Sequence, residues 1–321
     1  MRNLLRPLLG GIKSLAPGVD YRGSGGTTSA RYCYAVWLRH LALLAPHWDG
    51  AAGARVVELG PGDTVGVSLA ALLSGAREAT ALDAVAHASP TRNQAIFAEL
   101  VELFRTRATP PGDDEFPDVR PRVPGLRSLE QVVDGAAVVA ALAPDRLARV
   151  VADLALAAGD AGSVLMRYSA PWRPDAVAPG SADLVLSQAV LEYVGHDARK
   201  RGDRNDLLGQ AFATMHRWLR PGGLMSHQID LSAPFGPEWN AHWAVGDATW
   251  ALIVGRRPHY ENRVPLSGYL DLCARHGFEV LAAEAAPAGP GVGRERLAPR
   301  FRGLPEADYR ARGVHVIARR R

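Results

Sequence analysis

The chain has 321 residues, 47% of them hydrophobic and 22% charged, with a formal net charge of +4. That suits ordinary globular composition, one large domain or two small ones. The positive excess is almost all arginine, Lys13 and Lys200 being the sole lysines, and the arginines are scattered rather than striped; no nucleic-acid partner is expected.

Two cysteines, Cys33 and Cys273, lack metal-ligand spacing. We expect no metal and a reducing, cytoplasmic compartment. No apolar run approaches the roughly 20 residues of a membrane span, so no transmembrane segment is expected. The opening stretch MRNLLRPLLGGIKSL mixes leucines with basic residues, and Arg6-Pro7 interrupts it, which argues against a signal peptide. Two readings remain, a frayed terminus and a short amphipathic helix lying on a membrane or partner.

Residues 23–28 form a glycine- and hydroxyl-rich turn before a predicted helix over 29–44, with Thr28 or Ser29 as N-cap. A helix N-terminus behind glycines either is simply capped or binds a carboxylate. Next, 55–59 (RVVEL) is an apolar run of β-formers suited to a buried parallel strand. Gly60-Pro61-Gly62 breaks it and permits close backbone approach. Asp63 or Thr64 is the expected cap of a helix over 65–74, which Gly75 stops. A strand over 80–82 ends on Asp83. This is the first half of a nucleotide-binding βαβ unit, in which ligands bind outside the carboxyl ends of the strands. Asp83 is placed to accept from both ribose hydroxyls, as it would be in a nicotinamide fold. The dinucleotide fingerprint fits Gly60 and Gly62 but fails at Val65, and Glu58 stands two residues before the first glycine.

Glu58-Leu59-Gly60-Pro61-Gly62 resembles motif I of the class I S-adenosyl-L-methionine (SAM)-dependent methyltransferases, and Asp83 falls at that family's ribose-binding acid. The resemblance implies that Gly60, Pro61 and Gly62 pack under the methionine part of SAM and that Glu58 helps hold its amino group. It also makes Gly25, Gly26, Thr27, Arg31 and Tyr32 candidates for a lid over the cofactor. Thr64 departs from the further glycine common at that position.

Further on, 90–107 reads as an amphipathic helix and 109–124, rich in Pro, Gly and Asp, as a loop. Residues 126–159 read as largely helical. The family often passes directly to its third strand here, so 110–160 is expected to be an insertion roofing the substrate site. A strand over 164–168 follows, with Tyr168 or Ser169 in place of the family's adenine-contacting acid. The run SADLVLSQAVLEYV at 181–194 resembles the fourth-strand motif of the family's small-molecule branch, with Tyr193 where histidine is common. That places Ser187 and Gln188 beside the sulfonium. It also lacks the Asn/Asp-Pro-Pro-Tyr turn of enzymes acting on base amines, so nucleobase methylation is disfavoured.

A helix over 207–219, a turn at 220–223 and a fifth strand over 224–229 come next. The polar end of that strand, Ser226-His227-Gln228-Ile229-Asp230, is costly to bury unless hydrogen-bonded or used. His227 with Asp230 is therefore the first candidate general base, or a satisfied structural histidine; Glu192 and His196 come second. Residues 232–262 read as a second insertion, where Trp239, Trp243 and Trp250 either face an aromatic or sugar acceptor or simply pack. A helix over 266–276 and strands over 278–283 and 314–318 close the chain, the last expected as the antiparallel edge.

These readings give a doubly wound, mostly parallel, seven-stranded Rossmann-like α/β sheet over 54–321, with a helical cap over 1–53. The expected function is methyl transfer from SAM to a small-molecule acceptor, a glycan or secondary metabolite, at oxygen or nitrogen. The alternatives are a non-catalytic SAM-binding scaffold and an NAD(P)-dependent reductase. Oligomeric state is left open.

Overall fold

The computed structural model describes residues 2–14, 26–156, 158–160, 164–195, 207–257 and 260–321. Gly25, His196 and His259 lie outside them. In chain order come α1 (Arg2–Lys13), α2 (Ala30–Leu44), β1 (Arg55–Leu59), α3 (Gly66–Leu73), β2 (Glu78–Leu82), α4 (Pro90–Arg105), α5 (Gly135–Ala141) and α6 (Pro144–Leu154). There follow β3 (Met166–Ser169), β4 (Ala182–Gln188), α7 (Leu207–Trp218), β5 (Leu219–Asp230), α8 (Asp247–Val254), α9 (Leu266–Arg275), β6 (Phe278–Pro287), α10 (Glu306–Tyr309) and β7 (Ala311–Arg320).

The strands form one seven-stranded sheet in the order β3-β2-β1-β4-β5-β7-β6. All neighbours are parallel except β7, which runs antiparallel to both β5 and β6. The expected antiparallel edge is corrected: β7 is interior and β6 is the edge. The burial patterns give the reason. Val314, Val316, Ile317 and Ala318 are all buried, whereas β6 leaves Glu279, Val280 and Glu284 exposed. A strand apolar on both faces belongs between neighbours.

Helices cover both faces. Leu184, Leu186, Leu224 and Ile317 pack with α2, α3, α4 and α6 in one core. Val57, Val185, Met225 and Val316 pack with α7 and α9 in the other. This alternation is the period-two pleat of the strands. The turn expected at 220–223 lies inside β5, with 220–222 exposed and Gly223 buried, where the register with β4 shifts between Leu219 and Leu224.

The two regions read as insertions pack differently from each other. α5 lies against the C-terminal end of α3, where a Cβ on Gly75 would come within 2.8 Å of Ala137. α6 anchors the approach to β3, its Asp153 carboxylate accepting from the amides of Val164, Leu165 and Met166. α5 sits toward the amino ends of the strands, beside Gly75. The start of that segment reaches α2 through Arg31–Glu115 (2.5 Å) and through Tyr32 edge-on to Phe116. Residues 235–260 build their own small cores with α1 and with 292–309.

Candidate functional site

The sheet order reverses between β1 and β4, so their carboxyl ends open the crevice where doubly wound sheets bind ligands. Gly60 follows β1 directly. Its amide donates to Leu82 O (2.8 Å) at the end of β2. It adopts φ +64°, and a Cβ there would come within 2.5 Å of the Val190 side chain. Both facts demand glycine.

Glu58 on β1 is buried and turns under the N-terminus of α3. Its Oε2 accepts from the Ser68 amide (2.9 Å) and the Ser68 hydroxyl (2.5 Å). Thus Glu58, with Asn93 Oδ1 accepting from Val65 N (3.1 Å), caps α3 in place of the expected Asp63 or Thr64. A helix N-terminus favours an anion there. Burial nonetheless pushes the Glu58 carboxyl up to about 7, and the one further charge acting on it is the like charge of Asp83. Among the described residues no cation pairs with it, and Oε1 takes no hydrogen bond. Asp83 stands across the glycine turn, half-exposed at the end of β2. Its Oδ2 accepts from Gly62 N (3.3 Å) and its Oδ1 from Ala84 N (2.7 Å). Val85 N also reaches Oδ1 (3.4 Å), so of a carboxylate's about four acceptor positions about one remains, on Oδ2.

The segment before α2 is fastened onto this turn. Thr27 Oγ1 donates to Pro61 O (2.7 Å) and accepts from Thr64 N (2.9 Å), while Thr64 Oγ1 donates to Thr27 O (2.5 Å). Gly26 N donates to Asp63 Oδ2 (3.1 Å). Thr64, the departure from the family's glycine, is thus half of a reciprocal threonine clamp. Ser29 caps α2, its hydroxyl accepting from Tyr32 N (3.3 Å). The half-buried Tyr32 side chain is near enough to Glu58 to feel its charge.

Ser187, His227 and Asp230 are placed otherwise than expected. β5 runs unbroken from Leu224 to Asp230, so positions three apart project to opposite faces. His227 and Asp230 therefore do not form a pair. His227 is buried and bonded through Nδ1 to Ser187 Oγ (2.8 Å), itself wholly buried; burial lowers the imidazole to about 3. On the opposite face Ser226 Oγ bridges His40 Nδ1 and His315 Nε2, both at 2.8 Å. Gln188 donates to Gln228 Oε1 (3.1 Å). The polar strand end is thus bonded to β4, β7 and α2, while Nε2 of His227 and of His40 and Nδ1 of His315 are buried with no hydrogen-bond partner among the described residues. Nothing in the sequence tied His40 or His315 to it, because their partners lie 186 and 89 residues away.

Asp230 instead joins Glu192. The Glu192 Oε1 accepts from Asp230 N (3.4 Å), and Asn262 N donates to Glu192 O (2.7 Å). Glu192 is 3% exposed, its Oε2 has no hydrogen-bond partner, and burial with the like charges of Asp230 and Glu261 holds its carboxyl well above the usual range. Burial raises Glu261 to about 7. The sequence reading missed Glu261 and Asn262. Asn262 Nδ2 donates to Leu191 O and Val194 O, both at 2.8 Å, and so braces the turn that carries Glu192. Three carboxyl groups thus gather where β4 and β5 end.

The tryptophans pack. Trp243 and Trp250 are fully buried, Trp243 stacking on Phe301 and Trp250 lying under the Arg263 guanidinium. A cavity of about 270 Å³ lined by Arg55, Glu78, Thr80 and Arg167 opens at the amino ends of the strands, the wrong end for the nucleotide crevice.

Fold and crevice together define a doubly wound, Rossmann-like protein with an acid on each side of a glycine turn. No family model and no curated protein matches the chain. Solved structures to which it is similar include an S-adenosylmethionine dependent methyltransferase from Mesorhizobium loti, 17% identical, covering 89% of this chain and 98% of that one, with a TM-score of 0.43. Another is the Burkholderia thailandensis 1,6-didemethyltoxoflavin-N1-methyltransferase with bound 1,6-didemethyltoxoflavin and S-adenosylhomocysteine, 14% identical, covering 89% and 79%, with a TM-score of 0.41. A third is the Haemonchus contortus phosphoethanolamine N-methyltransferase 2 in complex with S-adenosyl-L-methionine, 13% identical, covering 90% and 56%, with a TM-score of 0.42. At such identities and scores the functional reading rests on this chain's own sheet order and side chains.

Proposed function

We propose that the chain is a SAM-dependent methyltransferase acting on oxygen or nitrogen of a small molecule. The observation that carries this is the placement of Glu58 and Asp83 on either side of Gly60-Pro61-Gly62 at the switch point. A buried carboxyl with an unused oxygen and no cation suits the ammonium of SAM, which would compensate its desolvation. Asp83 would take a ribose hydroxyl, Gly60, Pro61 and Gly62 would lie against the methionine chain, and Tyr32 would cover it. Gln188 would border the sulfonium.

Bound SAM supplies a methyl group already activated by its positive sulfur. The protein's share is to hold the acceptor in line with it, which can contribute roughly 7–11 kcal/mol. Glu192 and Glu261, with Asp230, would bind the acceptor's amine or hydroxyl. A carboxyl near 7 is partly ionised at neutral pH and can accept the proton released. His227, buried and engaged with Ser187, would position β4 against β5. The start of the 110–160 segment and residues 232–262 would frame the acceptor.

The test is thermal unfolding with SAM, S-adenosylhomocysteine, NADH or buffer, for the native chain and Asp83→Ala. A ligand at about 100 times its dissociation constant adds about 2.7 kcal/mol, roughly 4 °C for a chain of this length at about 2.1 cal/mol/K of unfolding entropy per residue. Stabilisation by SAM and S-adenosylhomocysteine, lost in Asp83→Ala, is expected. Stabilisation by NADH alone would point to a reductase.

A further inference from the structure

Helix α1 carries two apolar faces, and only one is used internally. Leu4 and Leu8 pack with Val245, Trp250, Ile253 and Val254. A Cβ on Gly11 would run into the carbonyls of Leu252 and Ile253. Ser14 Oγ accepts from Arg256 N (2.8 Å), and Arg257 Nη2 reaches Pro7 O (3.5 Å). This packing fixes which way the other face points. Leu5, Leu9 and Ile12, spaced i, i+4, i+7, are 60%, 47% and 47% exposed, and Leu252 of α8 beside them is 45% exposed. At that spacing three side chains share one stripe.

The polar flank of the stripe is basic. Arg6, Lys13 and Arg256 are exposed, none of them in an ion pair among the described residues. α1 has no acidic residue. Charge decides between occupants. A second copy docking by this face would bring like cations together across a two-fold axis. An anionic bilayer supplies both an apolar layer and negative headgroups at the depth such a stripe reaches.

We propose that α1, with Leu252 and Arg256, docks the protein on an anionic lipid surface. Leu5, Leu9 and Ile12 enter the boundary between headgroups and acyl chains, and Arg6, Lys13 and Arg256 lie against lipid phosphates. Because α1 is already folded onto α8, docking does not have to order it.

Vesicle flotation tests this with the full chain. On phosphatidylcholine vesicles containing phosphatidylglycerol, we expect bound protein about ten-fold above that on phosphatidylcholine alone, falling as salt rises. Leu5→Asp/Leu9→Asp should abolish binding with its melting temperature unchanged. Lys13→Glu/Arg256→Glu should remove the preference for phosphatidylglycerol, and it decides the matter if the leucine variant melts early. Equal binding to both vesicles, or binding that survives these variants, would overturn the proposal. So would a dimer in sedimentation that Leu9→Asp dissociates, with no vesicle binding.

Discussion

Glu58 and His227 are both buried, ionisable and close to the crevice, and their surroundings assign them opposite fates. Among the described residues Glu58 has one oxygen without a hydrogen bond and no paired cation, and on the proposed reading that oxygen meets the ammonium of SAM. His227 spends Nδ1 on Ser187 and is held neutral by burial. Replacing His227 by Ala leaves a cavity and strands a buried hydroxyl, and should cost about 2–4 kcal/mol of stability. Glu261→Gln is close to isosteric and removes a half-buried carboxyl that is costly to ionise, so its melting temperature at neutral pH should hold or rise. Methyl transfer to an amine or hydroxyl acceptor should fall by about 10²–10⁴-fold with SAM binding retained, as for the loss of a general base. Paired melting curves and initial rates check both; a His227→Ala enzyme of native stability and no turnover would return the base to His227.

At the scale of elements, the segment leading into α2 is bound to the glycine turn by hydrogen bonds, not by apolar packing. The Thr27 hydroxyl serves Pro61 O and Thr64 N together. Thr27→Val keeps the shape and leaves both groups unmatched, which should cost about 1–3 kcal/mol. Because the clamp also orders the cover of the crevice, SAM affinity should fall with it. Thr27→Ser should restore both. Calorimetric titration of the two variants checks this, and native SAM affinity in Thr27→Val would separate the clamp from the cofactor. Further along the chain, Glu192 and Asp230 meet because the turn after β4 bends back over the end of β5, with Ala189 in the left-handed region (φ +52°) and Asn262 bracing the next residues.

Across the whole molecule, buried ionisable groups of both kinds shape the response to pH. His40 is lowered to about 4, His227 and His242 to about 3, and His315 well below its ordinary 6.5, all by burial. They take up protons only on unfolding, so their share of stability is present above about 6.5 and is lost as pH falls toward their folded values. Glu58 and Glu261, raised to about 7, and Glu192, raised well above the usual carboxylate range, act in reverse. Their share is present below about 4.5 and is lost as pH rises through the folded values. The melting temperature should therefore peak near pH 5–6. With SAM bound, the fall on the alkaline side should shrink, because a cation beside Glu58 lowers its carboxyl. Melting curves across pH, with and without SAM, check the sign; a melting temperature that climbs steadily from mild acid to mild alkali would refute it.

The sequence alone determined the sheet's framework, because strand and helix periodicities and glycine punctuation are local properties. β1, α3, β2, β4 and α7 lie where their patterns put them, as does the glycine turn between Glu58 and Asp83. Only the tertiary structure decided what the polar residues do. Whether β7 is interior or an edge depends on which strands flank it. Whether His227 and Asp230 meet depends on an unbroken pleat, which sends them to opposite faces. The grouping of Glu192, Asp230 and Glu261, and of His40, Ser226 and His315, is made by segments far apart in the chain. Residue types and spacings encode the elements; the partners of a buried polar group are set by how those elements pack.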